Sequence, residues 1–326
     1  MTMKGSVRAM ATSNDRDLAL ARRIAAAKAW FPGEFALAAR NLRTGDEVLV
    51  DADRSMPTAS TFKVPVMIEV FRQDAAGALS LDETLEYTED ARRLGSGVMR
   101  DLSLGTSWSI RDLVMLMVIV SDNTATRMLL ERIGGYEAVN AAMQALGFPS
   151  YVLHGPEARE RLEAAGLNNR GLAECTPRDL MRMMERIARG EMVNTEASAG
   201  MRHVLGRQHY LNQASRYLGR DQYSGDEPAP VAWVGSKSGM MAGMRADTGI
   251  WRFPDETEIA FAVMNEGSAD TSYSTEHNGD IVNGVLGWTV AAYFWPDDAP
   301  GPMPGVESAW IDRILGEDRM GAIPNR

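Results

Sequence analysis

Ser109-Ile110-Arg111-Asp112-Leu113-Val114-Met115-Leu116-Met117-Val118-Ile119-Val120-Ser121-Asp122-Asn123 is the stretch on which the reading of this chain turns. Ser109 followed three residues later by Asp112 has the capping-box pattern of a helix start. Every residue from Leu113 to Val120 is apolar, and a helix apolar on all sides is a buried one. Three polar residues then interrupt it. A second helical run passes through Leu129-Leu130 and stops at Gly134-Gly135. Polar groups at the end of a buried helix need partners, so Ser121-Asp122-Asn123 points to an inward-facing polar cluster. Read alone, it suits a surface turn or cap between two helices better.

Outward from this stretch, the pattern is helical from about Ser60 to Tyr217. Apolar Val64 to Phe71 follows Thr58-Ala59-Ser60, and Pro65, tolerated only near a helix N-terminus, fixes the start close to Ser60. Thr176-Pro177-Arg178-Asp179 opens another helix, which runs to about Arg189 with Gly190 as its stop. Strand patterns lie on both sides of this block. Phe35 to Ala39 and Glu47 to Val50 flank the turn Arg43-Thr44-Gly45-Asp46. Val231 to Val234, Gly249 to Phe253 and Ile259 to Met264 form a second group, the last two joined at Pro254-Asp255-Glu256. Helices over about 15–30 and 281–294 stand at the two ends. The expected fold class is α/β (α+β): one antiparallel sheet flanked by terminal helices, with an all-helical lobe inserted after the first hairpin. The expected division is 15–58 with 228–295 as a discontinuous α/β lobe, 59–227 as the helical lobe, and 296–326 as a proline-rich C-terminal extension. Sites commonly lie in the cleft between two such lobes.

Composition narrows the chemistry. A single cysteine, Cys175, excludes an intrachain disulfide framework and a cysteine-clustered metal site. The four histidines (His154, His203, His209 and His277) show no metal-ligand spacing, so no metal is expected. A formal charge of −10 over 326 residues disfavours a nucleic-acid partner, which needs a basic face. No run of 18 apolar residues occurs, so no membrane span is expected. Residues 1–30 contain no apolar stretch of signal-peptide length. Taken as written, the chain is expected in the cytoplasm, and in the periplasm or outside the cell if a leader precedes it.

Three short motifs could carry chemistry. Ser60-Thr61-Phe62-Lys63 puts an amine and a hydroxyl on one helix face, where a lysine of lowered pKa can take the serine proton. The helix N-terminus supplies N–H groups for a developing oxyanion. Alone, this is also what a capping serine beside a solvated lysine looks like. Lys237-Ser238-Gly239, placed after the strand Val231 to Val234, could fix a substrate carboxylate and depress a neighbouring lysine by like-charge repulsion. Alone, it is an edge-strand lysine that discourages aggregation. Together with Ser121-Asp122-Asn123, the three stand in the order S-x-x-K, S-D-N, K-[ST]-G, the signature of active-site-serine β-lactamases and penicillin-binding proteins.

Over about residues 30–295 the chain resembles a class A β-lactamase-type serine hydrolase. The likeness is close at Leu94-Gly95-Ser96-Gly97-Val98, Ser121 to Ala125, Thr176 to Leu180 and Gly243 to Gly249. The resemblance implies Ser60 as the acylated nucleophile, Lys63 as its proton partner and Ser121 as the relay to the leaving nitrogen. It implies Asn123 as a ligand of the substrate amide and of Lys63. Lys237 and Ser238, helped by Arg245, would bind a substrate carboxylate. The N–H groups of Ser60 and Met240 would form the oxyanion hole. No metal or organic cofactor is implied, and the partner is a small molecule (a β-lactam, peptide or ester bearing a carboxylate) acted on by a monomer. One departure stands out. The family's deacylating glutamate sits in E-x-x-L-N, whereas Glu163-Ala164-Ala165-Gly166-Leu167-Asn168 has one residue too many, and the segment on to Thr176 is short. Glu163 is the candidate, with Glu157 and Glu160 beside it, although Pro156 to Ala165 reads more readily as an exposed charged helix. Two alternatives therefore stay open: an esterase or D-alanyl peptidase-like hydrolase that deacylates β-lactams slowly, and a ligand-binding sensor without turnover. The methionines read as core filler, Cys175 as a small buried residue, and about 210–230 as a loop shaping the cleft rim.

Overall fold

The computed structural model describes residues 13–167, 171–218, 233–295 and 308–316. Helix α1 (Ser13–Trp30) leads into β1 (Glu34–Asn41), β2 (Glu47–Val50) and the two-residue β3 (Met56–Pro57). A 3-10 turn over Ala59–Phe62 runs directly into α2 (Lys63–Ala75), and β4 (Thr84–Glu86) pairs with β5 (Ser107–Ser109). Next come α3 (Ile110–Ile119), α4 (Asn123–Ile133), α5 (Gly135–Ala145), β6 (Val152–Leu153), α6 (Pro156–Ala164) and β7 (Ala173–Cys175). Helices α7 (Pro177–Ala188) and α8 (Thr195–Leu205) complete the helical block. The chain returns through β8 (Trp233–Met241), β9 (Met244–Arg252) and β10 (Glu258–Glu266) to α9 (Asn278–Phe294) and α10 (Ala309–Leu315).

The expected antiparallel sheet is present, in the order β2-β1-β10-β9-β8, so the first hairpin pairs with the last strand and β8 is left at an edge. Alternation along β1 and β10 sorts the core into two layers. Phe35, Leu37 and Ala39, with Ile259, Phe261 and Val263, face α9 and the other terminal helices, where Trp251 stacks on Phe261 with ring centroids 4.1 Å apart. Ala36, Ala38, Ala260 and Ala262 face the helical lobe. Small side chains on that face let α7 pack directly on β1, β9 and β10 with Leu180, Met181, Met184 and Ile187. α2 runs through the middle of the lobe, buried at every position from Lys63 to Phe71.

Caps fall where the pattern places them. Ser109 Oγ accepts from Asp112 N, and Thr176 accepts from Asp179 N ahead of Pro177. One boundary differs: β8 continues to Met241, so Lys237-Ser238-Gly239 lies inside the strand rather than beyond it. The expected limit at 228 lies outside the described residues, as do the prolines of the C-terminal extension. Among the described residues no helix is long and apolar enough to cross a membrane.

A buried polar spine ties α9 to the β8 edge. Asn265 Nδ2 donates to Gly279 O and Asn283 Oδ1, Asn283 Nδ2 to Gln213 Oε1, and Gln213 Nε2 to Gly239 O. Beside it, fully buried Arg245 donates from Nε to Asp280 Oδ2 at 2.8 Å. Truncating one partner of a buried ion pair strands the other charge. Arg245→Met should therefore cost about 3–5 kcal/mol in urea unfolding, and adding Asp280→Leu should restore part of it. A single-variant loss as small as that of an exposed arginine would show that the pair does not brace the fold.

Candidate active site

Ser60 lies in the 3-10 turn that precedes α2. Thr58 anchors the turn, with N and Oγ1 both donating to Ala173 O (2.9 and 3.1 Å), while Thr61 Oγ1 donates to Thr58 O. Ala59 is held at φ 42°, a left-handed conformation costly for a residue with a Cβ. Lys63, the first residue of α2, is fully buried. Its Nζ lies 2.6 Å from Ser121 O, 2.9 Å from Ser121 Oγ and 2.9 Å from Asn123 Oδ1. Burial, and then the Lys237 charge, push its pKa well below the ordinary lysine value, with Asp122 opposing. A neutral amine keeps two N–H groups and a lone pair. Of the three neighbours only the Ser121 hydroxyl can also donate. Nζ and Ser121 Oγ are thus placed so that either can donate to the other.

Ser121 itself sits at φ 57°. Hydrogen bonds made by Ser96, Asp122 and Asn123 hold it there. Ser96 Oγ donates to Ser121 O at 2.8 Å, and Asp122 caps α4 through Ala125 N (2.9 Å). The other Asp122 oxygen accepts from Val98 N (2.6 Å) and Met99 N (2.8 Å). Asn123 Nδ2 donates to Leu94 O. The glycines of Leu94-Gly95-Ser96-Gly97-Val98 follow from this packing. Gly97 has φ 102°, and a Cβ there would lie 2.2 Å from Asp122 Oδ2.

The third wall is the β8 edge. A Cβ on Gly239 would lie 2.7 Å from Ser60 N and 2.9 Å from Thr58 O, so glycine is what allows the strand to approach the Ser60 backbone. Lys237 is buried beneath this edge, and its Nζ donates to Ser238 O at 2.6 Å. Burial lowers Lys237 to about 7 and raises Asp247, also fully buried, to about 7; each charge partly offsets the shift of the other.

These walls enclose an open cleft of about 780 Å³. Ser60, Ser96 and Ser121 line one side and Ser238, Gly239 and Met240 another; His209 to Asn212, Arg216, Tyr273 and Thr275 complete it. The structure therefore brings Ser60, Ser121, Ser238 and Met240 to one surface, with Lys63 and Asn123 on the Ser121 side and Lys237 beneath the strand. Two expected residues are elsewhere. Glu163 is exposed near the end of α6, a helix with no buried residue, and does not line the cleft. Arg245 is sealed inside. Beyond Asp280, its Nη1 donates to Met241 O and Met244 O and its Nη2 to Ser272 O, which leaves no face for a substrate. Ser96, Tyr273 and Thr275 line the cleft without having been expected there, and Arg216 was expected only as part of the 210–230 loop. Ser96 stands inside one of the family-like runs, whereas Arg216 and Tyr273 carry no local signal. The 210–230 loop does shape the rim at Tyr210 to Asn212 and Arg216, and its part from 219 on lies outside the described residues. Cys175 is buried, and burial pushes its thiol up to about 12.

Comparisons with known proteins agree with this geometry. A β-lactamase of Amycolatopsis lactamdurans is 33% identical over 104 residues, covering 32% of this chain and 33% of that protein. A β-lactamase of Streptomyces cellulosae is 30% identical over 139 residues, covering 42% of this chain and 45% of that one. The chain thus matches between a third and a half of the length of these curated relatives. Among solved structures, a β-lactamase from Sphaerobacter thermophilus superposes with a TM-score of 0.71 at 26% identity, over 84% of this chain and 96% of that one. PBP-A, at 21% identity and a TM-score of 0.69, covers 83% of this chain and 94% of its own and shares the fold. The model of the β-lactamase enzyme family matches residues 19–293, from α1 through α9 and across all three motifs. With S-x-x-K, S-D-N and K-S-G meeting in one cleft within that span, the chain belongs to the β-lactamase enzyme family.

Proposed function

We propose that this chain is a serine hydrolase that opens β-lactams and related cyclic amides through an acyl-enzyme on Ser60. The observation that carries the reading is the buried Lys63 amine, 2.9 Å from Ser121 Oγ in the cleft that Ser60 lines. Neutral Lys63 takes the Ser60 proton as Oγ bonds to the amide carbonyl carbon. The oxyanion is held by the N–H groups of Ser60 and Met240. The C–N bond then breaks, and the leaving nitrogen receives the proton through Ser121 Oγ. Asn123 holds Lys63 Nζ in place and orients the substrate amide. Ser238 offers its hydroxyl to the substrate acid, and Lys237 adds positive potential from below. Water then attacks the ester carbonyl carbon and passes its proton to the Lys63–Ser121 pair, since Glu163 is exposed on α6; the C–Oγ bond breaks, the pair returns that proton to Ser60 Oγ, and the acid leaves. All these groups come from one chain, which supports a monomer as the working unit.

Ser60→Ala should abolish both chromogenic cephalosporin turnover and the mass increment of an acyl adduct. Turnover that persists in this variant would place the nucleophile elsewhere. Because only neutral Lys63 accepts the proton, kcat/KM should rise with pH along an acid limb lying well below the ordinary lysine range. The Lys237 charge is one cause of that depression, so Lys237→Gln should move the limb to higher pH. A limb that stays put, or moves down, would assign it to another group. Glu163→Gln should hydrolyse within about twofold of the parent; a fall of about 100-fold with accumulated acyl-enzyme would make Glu163 the deacylating base.

A further inference from the structure

Helix α3 ends at Ile119, just ahead of Ser121. The last carbonyls of a helix have no partner within it. Two of those of α3 are met by one distant segment: Gln208 Nε2 donates to Val118 O at 3.0 Å and His209 N to Ile119 O at 3.2 Å. The same Nε2 donates to Ser236 O of β8 at 3.2 Å. A single amide nitrogen therefore serves both the helix that leads into Ser121 and the strand that carries Lys237. Oε1 of Gln208 accepts from Tyr210 N at 3.0 Å, within the rim stretch His209 to Asn212. Both N–H groups of the carboxamide are used, and the reverse orientation would set its oxygen against two carbonyls. Gln208 is buried and is not among the residues that line the cleft.

The two carbonyls it joins stand next to the two buried lysines. Lys237 follows Ser236 directly, and Lys63 Nζ is held by Ser121 O and Ser121 Oγ, shortly after Val118. Beyond burial, the charges that act on Lys63 are Lys237 on β8, which lowers its pKa, and Asp122 at the head of α4, which raises it. His209 lines the same cleft. Repulsion between two like charges falls with their separation, so the gap between these elements governs how strongly Lys237 acts. Without the amide, Val118 O and Ser236 O would be two buried acceptors turned to one space with no donor between them. Such a pair must part or admit water.

We propose that Gln208 is a positioning residue whose carboxamide sets the spacing between the Ser121 wall and β8, and so between Lys63 and Lys237. This rests on the hydrolase reading for the use made of Lys63, but its test needs no substrate. NMR titration of the Lys63 Cε and Nζ signals, assigned by their loss in Lys63→Gln, reads the amine directly. Gln208→Met keeps the volume and removes the three hydrogen bonds of the amide. It should raise the Lys63 midpoint, because Lys237 then stands farther off. With Lys237→Gln already present, the rise should shrink to about half or less, since the charge that the spacing governs is gone. Gln208→Asn keeps the amide on a shorter arm that cannot reach both carbonyls, and should move the midpoint the same way. An equal rise with and without Lys237 would mean that water entry moved the midpoint, and overturns the proposal. A midpoint that stays or falls overturns it too. If neither variant folds, Gln208 braces the fold and the spacing role falls. If the parent opens no β-lactam while the Lys237-dependent rise is seen, the hydrolase reading fails and this one stands.

Discussion

A lysine amine buried beyond the reach of water is the constraint around which this molecule is arranged. Placing Lys63 at the start of α2 is unfavourable unless its Nζ is surrounded by acceptors, and it has three, all from Ser121 and Asn123. Those acceptors are aimed by a chain of dependencies. Ser121 must adopt a left-handed backbone, Asp122 must cap α4 and hold Val98 and Met99, and Gly97 must lack a side chain. The same burial that makes the lysine costly also lowers its pKa, which favours the neutral form of the amine.

The Ser121 and β8 walls of the cleft come from different parts of the chain and are held by different means. The Ser121 wall is a product of the helical lobe. The β8 wall is held from behind by the Asn265–Asn283–Gln213 spine, which ends on Gly239 O. A glycine at the point of closest approach lets the two walls meet at Ser60. Backbone strain at Ala59 and Ser121 sits at that meeting point, where accurate placement of a few atoms matters more than local stability.

Much of this is legible in the sequence because it is local. The cap at Ser109, the apolar run to Val120 and the polar break after it are set by neighbours a few residues apart, and the helices form there. The exposed reading of Pro156 to Ala165 rests on its charge pattern, and α6 buries none of its side chains. What escapes is long-range. The polar run Ser236 to Gly239 resembles the end of a strand, yet β8 continues through it because pairing with β9 satisfies its backbone and the fold buries its side chains. Arg245 resembles a substrate ligand because sequence does not reveal that Asp280, Met241 and Ser272 surround its guanidinium. Arg216 lies in no motif, and its place in the cleft depends on a loop some 60 residues away in sequence.

The alanine face of β1 and β10 has a consequence for how the molecule comes apart. Ala36, Ala38, Ala260 and Ala262 share one apolar core with α2, α3, α4 and α7, so the helical lobe has no separate interior. Peeling it from the sheet would expose both surfaces at once. The two lobes should therefore melt as a single cooperative unit, and neither piece, expressed alone, would retain the other's half of the core.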